Sequence, residues 1–288
     1  MTLAEPRRYL PFTGTYSMPG SQPKLGTPGY GDLYIETDLQ LDHYRAAKAA
    51  VAAHWPACRA ADTEKDERTV ASWLRDKIDH DCPGLLAHAG AANLTLDELM
   101  ALIQEDLVIM RKADGASAAA GATADYLHVS FPSSWCPTCA LGKTFEGIHR
   151  PVPESGSFTF GQRRGRAGTM FASATTVRFV WTLTPDSGLD RRKCHAATNH
   201  GTAPAPSWRD TADTAFLRVE RQVVAPIDDR LSVFSIRTYL YPVSSLTPEE
   251  RALLRRSVAS MSLEVATYKS FADERGDNRE EIYARLAR

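Results

Sequence analysis

The chain has 288 residues, 43% hydrophobic and 24% charged, a composition that supports a globular protein with a full core. Its 34 Lys and Arg stand against 35 Asp and Glu, a formal net charge of −1, so no broad field for nucleic acid or anionic lipid exists and neither partner is expected. No window approaches the ~18 apolar residues of a membrane span, the first sixteen residues lack a signal peptide's apolar run, and five cysteines are too odd and sparse a set for a disulfide framework, so the expected location is the cytoplasm.

Residues 1–31 are rich in Pro and Gly, with scattered aromatics Tyr9, Phe12, Tyr16 and Tyr30. They have neither helical nor strand period and are read as an extended N-terminal arm wrapped over the domain. Residues 42–112 form a helical part. Apolar residues at three- and four-residue steps predict helices over 42–55 and 66–78, and Thr95 with Glu98 forms a capping box that opens a third over 95–110. An Ala/Gly run over 113–124 is read as a loop. Residues 126–271 supply the sheet and a closing helix. Alternating patterns predict strands over 126–131, 176–183, 215–224 and 231–240, the last two joined as an antiparallel hairpin by a short loop with Pro226, Asp228 and Asp229. Thr247, Pro248 and Glu249 open a helix over 247–271. The order predicts a single α+β domain with one antiparallel sheet and no internal repeat.

The stretch over 131–153 reads Phe-Pro-Ser-Ser-Trp-Cys-Pro-Thr-Cys-Ala-Leu-Gly-Lys-Thr-Phe-Glu-Gly-Ile-His-Arg-Pro-Val-Pro. It resembles the haem-dependent oxidative N-demethylase family, in which a Phe-Pro-Ser-x-Trp strand end, a Lys/Gly turn and Ile-His-x-Pro-Val-Pro follow one another. Other segments agree in order: Gln104-Glu105-Asp106, the strand from Val177 to Trp181, the paired strands Leu217 to Gln222 and Phe234 to Tyr239, and the helix ending at Tyr268-Lys269. The resemblance covers most of the chain from Arg7 to Lys269. It implies a haem b protein on a PAS-like fold, an antiparallel sheet flanked by helices. Such proteins oxidise a small secondary or N-methylated amine with O2, releasing formaldehyde, and take electrons from a separate flavin and iron-sulfur reductase. The chain itself shows no dinucleotide loop or ferredoxin-type cysteine cluster.

A haem iron needs one strong axial donor, and imidazole supplies it without charge. By spacing alone His149 reads as a histidine in a Pro-rich surface loop; with the resemblance it is the expected iron ligand. Arg150 beside it suits a propionate, which a guanidinium can bind with two parallel hydrogen bonds. His128 is a secondary candidate, and His43, His54, His80 and His88 are read as surface or core histidines. In the first hairpin strand, period two puts Arg218, Glu220 and Gln222 on one face and Leu217, Val219 and Arg221 on the other. By resemblance the polar row lines the oxygen side. There Glu220 would hold the substrate ammonium or relay protons, and one of Arg218, Arg221 and Arg237 would donate to oxygen. The alternative is a cross-strand ion pair of Glu220 with Arg237. Tyr239 is a hydrogen-bond donor or a packed aromatic. Trp135 and Trp181 are core residues or stack on the porphyrin.

Two features depart from the family pattern. Cys136 and Cys139 interrupt the motif, and Ala140 after the second Cys excludes a c-type haem attachment. Val180 stands where the family strand has Asn. Two other functions compete: a non-catalytic PAS-like haem or ligand sensor, and a zinc protein using Cys136, Cys139, Cys194 and His195.

Overall fold

The computed structural model describes residues 3–16, 23–87, 93–112, 122–153, 171, 174–193, 208, 214–273 and 276–287. Runs rich in Val, Ile, Tyr and Phe favour the pleated, half-buried environment of a sheet, and they build its centre here. The strands are β1 (Cys58–Arg59), β2 (Asp106–Lys112), β3 (Ala122–His128), β4 (Thr176–Thr184), β5 (Phe216–Pro226) and β6 (Leu231–Pro242). They form one antiparallel sheet in the order β1-β3-β2-β6-β5-β4. A small pair, β7 (Ala272–Asp273) and β8 (Gly276–Asp277), lies apart from it.

The helices are α1 (Leu41–Ala52), α2 (Glu64–Asp81), α3 (Leu96–Leu102), the short α4 (Pro137–Ala140) and α5 (Phe145–His149), α6 (Pro248–Ala259), α7 (Leu263–Tyr268) and α8 (Arg279–Leu286). The α+β reading holds, and so do the β5–β6 hairpin and the capping box of Thr95 with Glu98. Two helix expectations change. The helix opened by Thr95 ends at Leu102, and residues expected to continue it become β2. The buried side chains of Gln104, Glu105 and Asp106 bond other segments at the break, and the apolar run after them pairs with two strands. The expected 247–271 helix is two, because Ser262 caps a new start by accepting from the Val265 amide.

The sheet has two distinct faces. One carries Leu107, Ile109, Tyr126, Val223 and Val233 against α2 and α3, and Trp181, Leu217, Val219 and Tyr239 against the arm and α6 to α8. Tyr9 and Phe12, near the start of the chain, are both buried in this layer. The opposite face carries Val108, Met110, Leu127 and Val224 under Trp135, Leu141, Phe145 and Ile148.

The helix-side face holds a buried ionic network. Arg237 donates to the Glu36 carbonyl at 3.2 Å and to Asp38 at 2.6 Å, and its guanidinium lies over the rings of Tyr44 and Tyr239. Arg221 donates to the carbonyls of Tyr30 and Leu33. Glu36 accepts from Tyr9 at 2.9 Å and from Tyr239. Gln104 and Glu105 accept from the amides of Asp38 and Glu36, so this segment fastens the arm's end to the sheet. Gly31 needs its positive φ of 78° here, and a Cβ would come within 2.6 Å of Glu36 Oε1.

His128 lies on the same face, opposite Leu107. Its Nδ1 meets no hydrogen-bond partner, and burial pushes the imidazole down to about 4 from 6.5. The folded state therefore binds fewer protons than the unfolded chain between these values, so stability is level above pH 6.5 and falls as pH drops toward 4. His128→Gln is expected to shrink the loss of Tm between pH 7 and pH 5. Equal losses in both proteins would remove His128 as the cause.

Candidate functional site

Arg218, fully buried in β5, anchors the segment after β3. It donates from Nη2 to the Phe131 carbonyl at 2.6 Å, from Nη1 to the Leu189 carbonyl at 2.9 Å and from Nε to Ser133 Oγ at 2.6 Å. Asp106 holds the same segment from the other side by accepting from the amides of Ser130 and Phe131 at 2.9 and 2.8 Å. Burial raises the Asp106 carboxyl, and nearby Lys48 opposes that shift.

Ser133, so fixed, donates its hydroxyl to Glu220 Oε1. Gln222 donates to Glu220 Oε2 at 2.9 Å and accepts from Arg178 Nε at 2.7 Å. The result is a chain from Arg218 through Ser133 to Glu220, and from Arg178 through Gln222 to the same carboxylate. Each carboxylate oxygen accepts one of these bonds, and Glu220 is 7% exposed. Two cationic ends polarise the donors toward it.

Across the same layer sits α5. Thr144 caps it by accepting from the Gly147 amide, and the preceding turn is tied to β3 by the Ala124 amide on the Lys143 carbonyl and the Gly142 amide on the Ala124 carbonyl. His149 ends this helix, half-buried, with its ring 4.0 Å from that of Phe145. Its Nδ1 lies 2.9 Å from the Phe145 carbonyl. A carbonyl only accepts, so Nδ1 is the donor in this bond. Arg150 follows it, exposed at the end of the helix.

Beyond it, Pro151 and Pro153 face Leu263, Glu264, Thr267 and Tyr268 across an open groove of about 540 Å³. Lys269, next in the chain, donates to the Trp181 carbonyl at 2.7 Å and feels the Glu220 charge, as Tyr268 does. Burial pushes the Lys269 ammonium down to about 8, against the pull of Glu220.

A family described as haem-dependent oxidative N-demethylase, alpha subunit-like, matches residues 39–276. The chain belongs to that family. The description carries haem dependence and oxidative demethylation, and its word subunit points to a partner. No curated protein matches the chain.

The expected site residues divide between the two faces of the sheet. Glu220, Arg218 and Trp135 share the face that carries α5 and His149. Arg221, Arg237, Tyr239 and Trp181 lie on the other, packed against the arm and helices. The alternative ion pair of Glu220 with Arg237 does not form. Arg237 is opposite Arg221, Glu220 is opposite Thr238, and the two-residue period sends the side chains to opposite faces. Trp181 packs edge-on against Phe12 and Tyr16.

Cys136 is disulfide-bonded, whereas Cys58, Cys82 and Cys139 are free. Among the described residues no group of His, Cys, Asp and Glu is arranged to hold a metal ion. Cys194, His195, His200 and His88 lie outside the described residues. Among the described residues no helix is long and apolar enough to cross a membrane.

Sequence reasoning missed Ser133, Arg178, Asp106 and Lys269. Ser133 and Arg178 lie within segments that carried the resemblance, but only the register of β4 on β5 and the fold of the 130–135 segment bring them to Glu220.

Proposed function

We propose that the chain is a haem b-dependent monooxygenase that oxidises a small secondary or N-methylated amine with O2, on a PAS-like scaffold, with electrons from a separate flavin and iron-sulfur reductase. The observation that carries this reading is the pairing, on one sheet face, of a tautomer-fixed imidazole with a buried carboxylate held by two donors.

The residues fit a haem. His149 offers Nε2 as an uncharged donor, and its Nδ1 bond to the Phe145 carbonyl both orients the ring and raises its basicity. Trp135, Phe145, Ile148 and Phe234 supply apolar surface beside it, and exposed Arg150 is placed to meet a propionate. Bound there, haem supplies oxygen activation for hydroxylation of the carbon next to nitrogen, whose product releases formaldehyde and the shortened amine.

The chain's own residues bind, orient and handle protons. Glu220 holds the substrate ammonium through its remaining lone pairs, and the Ser133 and Gln222 donors keep the carboxylate from turning away. An amine must lose a proton before its nitrogen lone pair can assist oxidation of the neighbouring carbon, and Glu220 is the acceptor at hand. Arg218 and Arg178 position these donors, and neither needs to touch substrate.

In this reading Arg221, Arg237, Tyr239 and Trp181 hold the arm to the sheet. Replacement of Glu220 by Gln is expected to keep the haem absorption band and lower kcat/KM for amine-dependent formaldehyde release by about 100-fold or more, as loss of a general base does. An unchanged rate would remove Glu220 from the site.

A further inference from the structure

The neighbours of Glu220 on its own sheet face are set by register. Val180 of β4 is directly opposite it on one side and Thr238 of β6 on the other, with Arg218 and Gln222 before and after it along β5. Thr238 and Ile236 are buried, whereas Val180 and Thr182 are each half-buried. The open approach to the carboxylate therefore crosses β4, over the methyl groups of Val180 and Thr182. The cations around it are already engaged: Arg218 with Ser133 and two carbonyls, Arg178 with Gln222, and Lys269 with the Trp181 carbonyl. Arg218 Nε also lies 3.9 Å from Glu220 Oε1, so the carboxylate is already countered, and what the β4 side adds is an apolar floor.

Resting on the function proposed above, we infer that Val180 is a specificity-determining residue, and that the site selects alkylammonium ions with an apolar substituent larger than methyl. A hydroxylated substituent would lose water over Val180 without a partner. An alkyl chain gains by leaving water there, and each methylene adds to the discrimination.

The test is calorimetric titration of the purified protein, with its cofactor as isolated, using dimethylammonium and N-methylbutylammonium. N-methylbutylammonium is expected to bind about tenfold tighter than dimethylammonium. In Val180→Thr, which keeps shape and adds a hydroxyl, that tenfold preference is expected to fall to about threefold or less. Val180 would lose its assigned role if the preference were the same in both proteins, or if the wild type bound dimethylammonium as tightly as the longer amine. Failure of every ammonium ion to bind, with Glu220→Gln indistinguishable from wild type, would instead overturn the function from which the inference starts. The wild-type series needs no variant, so poor folding of Val180→Thr leaves the inference testable.

Discussion

Replacement of His149 by Ala is expected to give protein that purifies without a Soret band, while its circular dichroism stays that of the wild type. The side chain is half-buried at the end of a five-residue helix, and its described bond is to the Phe145 carbonyl one turn back. The ring lies outside the buried core, so its removal opens no core cavity. A haem held by this ring would lose that nitrogen donor, which apolar contacts with Phe145, Ile148 and Trp135 would not replace. Added imidazole is expected to restore the band in His149→Gly, since the cavity left behind admits the free ligand. Full haem occupancy in His149→Ala without imidazole would show that another residue carries the iron.

Replacement of Arg237 by Ala is expected to lower Tm by about 10 °C and leave the Soret position of the folded protein unchanged. The guanidinium is 1% exposed and answers the charge of buried Asp38 at 2.6 Å. Removing one partner of such a pair leaves an uncompensated buried charge, which costs about 3–5 kcal/mol, and each kcal/mol moves Tm by about 2–4 °C in a protein of this size. The Tyr44 and Tyr239 rings also lose the cation between them. A loss of turnover with unchanged Tm would place Arg237 in the chemistry instead of the scaffold.

Much of the site was legible in the sequence because strand geometry is strict. Alternation alone put Arg218, Glu220 and Gln222 on one face and Arg221 on the other, and the sheet keeps that division. What alternation cannot give is which face a neighbouring strand shows, because this depends on register. Arg237 and Tyr239 lie in β6, where a shift of one residue would have moved both to the Glu220 side. Arg178 was invisible for the same reason: its place beside Gln222 follows from β4 register, not from local pattern. The helix expected over 95–110 failed because the Gln104-Glu105-Asp106 side chains are spent on distant backbone amides, a use that apolar spacing does not reveal.

By itself the sequence determined the α+β class, the hairpin, the helix caps and the family motifs, because these rest on periodicities and bonds spanning a few residues. Only the tertiary structure decided that Glu220 is gripped by Ser133 and Gln222, and that Arg221, Arg237 and Tyr239 serve the arm. Those contacts join residues far apart in the chain, and strand register and burial select them after the local elements have formed.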